Sequence, residues 1–127
     1  MSRNSIRLSV GAALMGLALA SGSVLGEDVI KIGIPVGLSG ANSVVAPSVV
    51  QAAELAAEEI NAKGGIMGKK VVLEVADDGS GAAGAQKAFD SLIFQKKVNV
   101  LISMETSAAR NAGLPIVSRG KTPGYRS

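Results

Sequence analysis

The residues of this sequence best suited to chemistry follow its third predicted strand. Thr106 and Ser107 offer two hydroxyl groups at the point where a helix is expected to begin. The free backbone N–H groups at a helix start attract a carboxylate or another anion, although such a hydroxyl also serves simply to cap the helix. Glu105 offers a carboxylate for a substrate ammonium group; the simpler interpretation is a solvated side chain. Together these residues indicate a site for a small polar molecule.

A second pattern, G-x-G-x-x-G, runs from Gly79 to Gly84. It follows a predicted strand, opens a predicted helix and precedes Glu105 by 21 residues, as a dinucleotide-binding fingerprint requires. Asp77 and Asp78 argue against this interpretation because they bring negative charge to the place of a pyrophosphate. A fragment of a Rossmann-type dinucleotide-binding oxidoreductase is therefore the alternative hypothesis.

The composition argues against catalysis. The chain has no Cys and no His, so it lacks thiolate metal ligands and the commonest general base. Aromatic residues make up 2% of the sequence, which leaves few platforms for stacking bases or sugars. Without Arg3 and Arg7 the formal charge falls from +3 to +1, which gives little attraction for nucleic acid. We therefore expect a binding protein with no cofactor and no metal, and not an enzyme.

The N-terminal segment has the pattern of an export signal. Arg3 and Arg7 precede an apolar run from Leu8 to Ala20, and small residues follow. The run is too short for a permanent membrane-spanning helix, and without Cys there is no site for a lipid anchor. We expect residues 1–26 to be a signal peptide and residues 27–127 to lie in the periplasm with no stable membrane anchor.

Strands and helices alternate along the rest of the chain. Three apolar segments are predicted strands: Val29–Val36, Lys70–Ala76 and Val98–Ile102. Such alternation predicts an open parallel sheet with helices on both faces, an α/β fold. Ligands of open parallel sheets bind beyond the carboxyl ends of the strands. Three loops share that edge: 37–46, 77–82 and 103–107.

Helical spacing predicts which residues of the helices face the sheet. In the first helix these are Val49, Ala52, Ala53, Ala56 and Ile60; in the second they are Ala85, Ala88, Phe89, Leu92 and Ile93. The third helix is expected to start at Thr106 or Ser107 and to run towards Gly120. Residues Thr122–Ser127 stand where a fourth strand is due but contain no apolar run. We therefore expect three strands and an incomplete domain.

Several segments resemble the leucine/isoleucine/valine-binding family of periplasmic solute-binding proteins. The most specific are the stretch Glu59–Lys70, which reads EINAKGGIMGKK, and the acidic pair Asp77–Asp78 after the second strand. The resemblance covers about residues 29–123, and from Met104 onwards it is closest to the amide- and urea-binding branch. It implies the first part of one lobe of a two-lobe fold that closes on its ligand.

The resemblance also implies a function, a partner and a set of site residues. The implied function is delivery of an amino acid, a small amide or urea to the permease of an ABC transporter. The resemblance implies ligand-binding residues in the loops after the first and third strands: Ser39 and Gly40 in the former, and Thr106 and Ser107, which bind the ligand's polar end in relatives, in the latter. Glu105, beside the two hydroxyl groups, completes the set of candidate ligand-binding residues.

Overall fold

The structure, a computed structural model, describes residues 29–126. The predicted signal peptide, residues 1–26, lies outside the described residues. The strands and helices alternate in the order β1 (Val29–Val36), α1 (Ala46–Ala62), β2 (Lys70–Asp77), α2 (Ala82–Asp90), β3 (Val100–Ser103), α3 (Ser107–Gly120) and β4 (Gly124–Arg126). A 3-10 turn precedes α1 at Gly40–Asn42, and a π-helical turn extends α2 through Ser91–Gln95.

The strands form one parallel sheet in the order β2-β1-β3-β4. This confirms the predicted open parallel sheet. The expectation of three strands is wrong, because Gly124–Arg126 pairs with Leu101–Ser103 as a short fourth strand. A strand at the edge of a sheet is joined through its backbone on one side only, so it can be short and lack an apolar run.

Helices cover both faces of the sheet, as predicted. On one face α2 and α3 pack over β3 in a core that includes Phe89, Leu92 and Leu101. All five residues predicted to face the sheet from the second helix are buried. On the other face α1 packs over β1 and β2 around Ile34 and Val36. None of the helices in residues 29–126 is long and apolar enough to cross a membrane.

The inward face of α1 differs in part from the prediction. Ala46 is buried and Val50 and Ala53 pack against the sheet, whereas Ala52 and Ala56 are exposed. Alanine occurs on every side of this helix, so its hydrophobic pattern distinguishes the faces poorly.

Candidate functional site

The loops after β1, β2 and β3 meet at the carboxyl edge of the sheet, as predicted. The Ser39 hydroxyl donates a hydrogen bond of 2.7 Å to Asp77 Oδ2. Ser80 Oγ donates to the Ser39 carbonyl oxygen at 2.7 Å and accepts from the Asn42 backbone N–H at 3.0 Å. Thr106 Oγ1 lies 3.4 Å from the Ser80 carbonyl oxygen. The middle loop thus connects the two loops that carry the predicted site residues.

The loop after β1 approaches the loop after β2 so closely that it needs glycine at the point of contact, Gly40. Gly40 has a φ of +79°, and a Cβ there would lie 2.4 Å from the Gly79 carbonyl oxygen. Gly40 and Ser39 are both exposed, with the Ser39 hydroxyl bonded to Asp77. These contacts explain why the sequence has Ser and Gly here, while contact with a ligand stays a prediction for both residues.

The helix predicted after β3 begins as expected. Thr106 is the N-cap of α3, and its Oγ1 accepts a hydrogen bond of 3.2 Å from the Ala109 backbone N–H. Ser107 is the first helical residue and is exposed. The Thr106 hydroxyl therefore has a structural role. The Ser107 hydroxyl has no hydrogen bond to another described residue, and its contact with a ligand stays a prediction.

A cavity of about 250 Å³ opens between the first and third loops. It is lined by Val36, Asn42, Val45, Ala46, Val49, Met104, Glu105 and Thr106. Val45 and Met104 are 53% and 48% exposed, so the cleft presents apolar side chains to solvent. We call this cavity the cleft. Ser39, Gly40 and Ser107 lie at the same edge of the sheet but do not line the cleft.

Six of the eight cleft residues were not among the predicted site residues: Val36, Asn42, Val45, Ala46, Val49 and Met104. Five of them are apolar, and apolar residues next to a strand or a helix resemble ordinary core residues. The position of Met104 directly after β3 is the one signal in the sequence that could have identified it. In the structure Met104 forms a β-bridge with Val36 at the end of β1.

Glu105 is buried, so the interpretation of a solvated side chain is wrong. Its side chain is 1% exposed, and its Oε1 lies 3.6 Å from Arg110 Nε. The alternation of buried and exposed side chains in β3 continues past the end of the strand. Ser103 is buried, Met104 is exposed and Glu105 is buried again. Burial raises the pKa of Glu105 above its ordinary value of 4.5, while the neighbouring Ser103 hydroxyl and the Arg110 charge lower it. Both carboxylate oxygens are buried, and neither has a well-aligned hydrogen-bond partner among the described residues.

The acidic pair Asp77–Asp78, at the end of β2, accepts hydrogen bonds from backbone N–H groups of the G-x-G-x-x-G segment. Asp77 Oδ1 accepts from the Gly79 N–H at 2.9 Å, and this bond is the main reason why the pKa of Asp77 lies below 3.8. Asp78 is fully buried, and its Oδ1 accepts from the Ser80 N–H at 2.7 Å. Burial raises the pKa of Asp78. With these N–H groups occupied by carboxylates, the segment is poorly suited to a pyrophosphate, and the dinucleotide-binding alternative is not favoured.

Residues 29–126 contain no group of three acidic side chains close enough to hold a metal ion.

Comparison with known proteins identifies the family. The family described as "Periplasmic binding protein" matches residues 29–124. Leu/Ile/Val-binding protein homolog 8 of Brucella suis is 32% identical over 122 residues, which are 90% of this chain and 30% of that protein. Homolog 7 of the same organism is 40% identical over 73 residues, 58% of this chain and 17% of that protein. The chain thus spans less than a third of the length of these relatives.

Solved structures show the same fold. The branched-chain amino acid transporter substrate binding protein LivJ from Streptococcus pneumoniae, in complex with isoleucine, superposes with a TM-score of 0.72 and 32% identity, over 77% of this chain and 28% of that chain. The leucine binding protein LivK from Thermotoga maritima superposes with a TM-score of 0.68 and 28% sequence identity, over 77% of this chain and 27% of that chain. The chain therefore belongs to the periplasmic binding protein family, a family of solute-binding proteins and not of enzymes.

Proposed function

We propose that this chain forms part of the first lobe of an extracytoplasmic receptor, which delivers an amino acid, a small amide or urea to the permease of an ABC transporter. The observation that supports this proposal is the cleft at the carboxyl edge of the sheet. It combines apolar walls with the polar groups of Asn42 and Thr106, as sites for small organic molecules do. We place the receptor in the periplasm, in keeping with its family and with the predicted signal peptide, residues 1–26.

Tight binding requires more than the cleft wall. Small ligands normally have most of their surface covered in the pocket, and the described residues form a single open wall. Each hydrogen bond from such a wall contributes about 0.5–1.5 kcal/mol, whereas association costs about 4 kcal/mol or more. The proposal therefore assigns high affinity to a protein with both lobes and only weak binding to the described residues alone.

A chimeric receptor tests the proposal. Residues 29–124 replace the aligned segment of Streptococcus pneumoniae LivJ, and calorimetry measures binding of isoleucine, leucine, acetamide and urea. We expect binding of at least one of these solutes. We also expect about tenfold weaker binding after Ser107→Ala if the ligand reaches past the cleft residue Thr106 to the neighbouring Ser107 hydroxyl, as the predicted site requires.

Ser118→Ala provides the matched control, since Ser118 is an exposed serine towards the other end of α3. This variant should bind as the parent chimera does. A chimera that melts cooperatively but binds none of the four solutes would contradict the proposed function. Equal affinities for the Ser107 and Ser118 variants would contradict the role of Ser107.

A further inference from the structure

A second cavity lies between the sheet and α3, on the face of the sheet that α2 and α3 cover. Its volume is about 140 Å³. Leu101, Ser103 and Glu105 line it, and they share one face because side chains alternate along β3 and just beyond it. Leu101 belongs to the core beneath α2 and α3. We call this space the α3 cavity. A molecule bound there is independent of the solute proposed for the cleft.

Two charged groups in the wall of the α3 cavity are buried without well-aligned partners. The Glu105 side chain is 1% exposed, and both of its carboxylate oxygens lack a hydrogen-bond partner among the described residues. Arg110 Nε is buried and lacks such a partner too. It lies 3.6 Å from Glu105 Oε1, which is too long for a direct hydrogen bond. Buried polar groups are ordinarily hydrogen-bonded, and a missing partner costs stability. This pair therefore suits a molecule that supplies both a donor and an acceptor.

A hydroxyl group has both capacities. It can donate a hydrogen bond to the Glu105 carboxylate and accept one from Arg110 Nε–H. Hydrogen bonds to charged groups are stronger than those between neutral groups. An ammonium group only donates and would meet the positive charge of Arg110, whereas a carboxylate only accepts and would meet the negative charge of Glu105. A neutral hydroxyl group avoids both repulsions.

Much of the remaining wall of the α3 cavity is apolar. Phe89 of α2 contributes to it, as do Leu114 and Val117 of α3. Leu114 is 41% exposed, so the cavity reaches the surface beside it. A cavity of about 150 Å³ with apolar walls can hold a benzene ring, and the α3 cavity is close to that size. Apolar walls with a few polar groups are typical of sites for small organic molecules.

We propose that the α3 cavity binds a small neutral molecule with a hydroxyl group on an apolar body, such as a phenol or a short alcohol. The hydroxyl oxygen lies between the Glu105 carboxylate and Arg110 Nε, and satisfies both. The apolar body contacts Phe89, Leu114 and Val117. Water could form the same hydrogen bonds, but it would gain nothing from the apolar walls.

Phenol and toluene are suitable probes, because they have nearly the same shape and differ by a hydroxyl in place of a methyl group. We would titrate each into the full 127-residue chain and follow the methyl resonances of Leu114 and Val117 by NMR. Phenol should bind about tenfold more tightly than toluene, because its hydroxyl forms hydrogen bonds to charged groups. Glu105→Leu replaces the carboxylate by an apolar side chain. This variant should reverse the order, since toluene is transferred out of water more readily.

Leu114→Trp should weaken binding of both probes, because the larger side chain fills the opening of the cavity. Leu55→Trp is the matched control: Leu55 is an exposed leucine on α1, and this variant should bind as the parent does. Toluene binding equal to or tighter than phenol binding in the parent would overturn the role of Glu105 and Arg110. If neither probe shifts the Leu114 and Val117 resonances, the cavity takes only water and the proposal is wrong. Should Glu105→Leu fail to fold, Leu114→Trp decides: unchanged phenol binding, followed at Val117, refutes the site.

Discussion

Replacing Gly84 by Ala tests whether the G-x-G-x-x-G segment serves packing. A Cβ at Gly84 would lie 2.2 Å from the carbonyl oxygen of Asp78 and 2.7 Å from its carbonyl carbon. Both atoms belong to the backbone, so no side-chain rotation can relieve the overlap. The start of α2 must move away from the end of β2, which disturbs the loop that connects the predicted site residues.

The expected cost combines two opposing effects. Forcing an extra carbon into a well-packed place costs about 3 kcal/mol at the upper end of the usual range. Alanine is more favourable than glycine inside a helix by about 1 kcal/mol, and Gly84 lies within α2. The net loss in the free energy of unfolding is therefore about 2 kcal/mol. For a domain of this size that corresponds to a melting temperature lower by about 10 °C.

Thermal and urea unfolding, followed by far-UV circular dichroism, measure this loss. Gly81→Ala is the control, because a Cβ at Gly81 would lie 3.9 Å from its nearest neighbour and φ is −151°. As a change at an N-cap it should cost about 0.5 kcal/mol. If Gly84→Ala is as stable as Gly81→Ala, the close approach of α2 to Asp78 does not constrain the fold.

Three further predictions concern stability. Leu92→Ala should lower the free energy of unfolding by about 3 kcal/mol, because Leu92 is fully buried; a loss below about 1 kcal/mol would contradict the assigned core. Burial raises the pKa of Glu105 above 4.5, so the folded chain loses stability as the pH rises from 4.5 through the folded-state pKa. The Glu105→Gln variant should therefore become more stable relative to the parent over that pH range, as measured by urea unfolding. A difference in the free energy of unfolding that does not change with pH would refute this. The pKa of Asp77 lies below 3.8, mainly through the Gly79 N–H. The Asp77→Asn variant should thus be less stable than the parent at neutral pH, and this difference in the free energy of unfolding should vanish as the pH falls below 3.8. A difference that persists at low pH would argue against a role for the charge.

The sequence alone was sufficient to predict the order of the strands and helices from β1 to α3, the parallel sheet and the buried face of α2. In these cases the signal is local: the spacing of Phe89 and Leu92 defines one helix face, and the apolar run Val29–Val36 suits a strand covered on both sides. Thr106 was identified as a cap candidate for the same reason, because capping depends on residues within one turn. The sequence also contained the family's most specific stretch, Glu59–Lys70.

Only the tertiary structure could decide features that depend on residues far apart in the chain. Met104 pairs with Val36, a residue 68 positions earlier, and so continues the alternation of exposed and buried side chains beyond β3. Glu105 is buried because it is the next residue in this alternation. β4 exists because the backbone of Leu101–Ser103 offers it hydrogen-bonding groups, although its own sequence has no strand pattern. The cleft likewise brings Asn42 and Thr106 together through the Ser80 loop. Local patterns therefore determine what each segment becomes, while long-range packing determines which side chains are desolvated and which share a site.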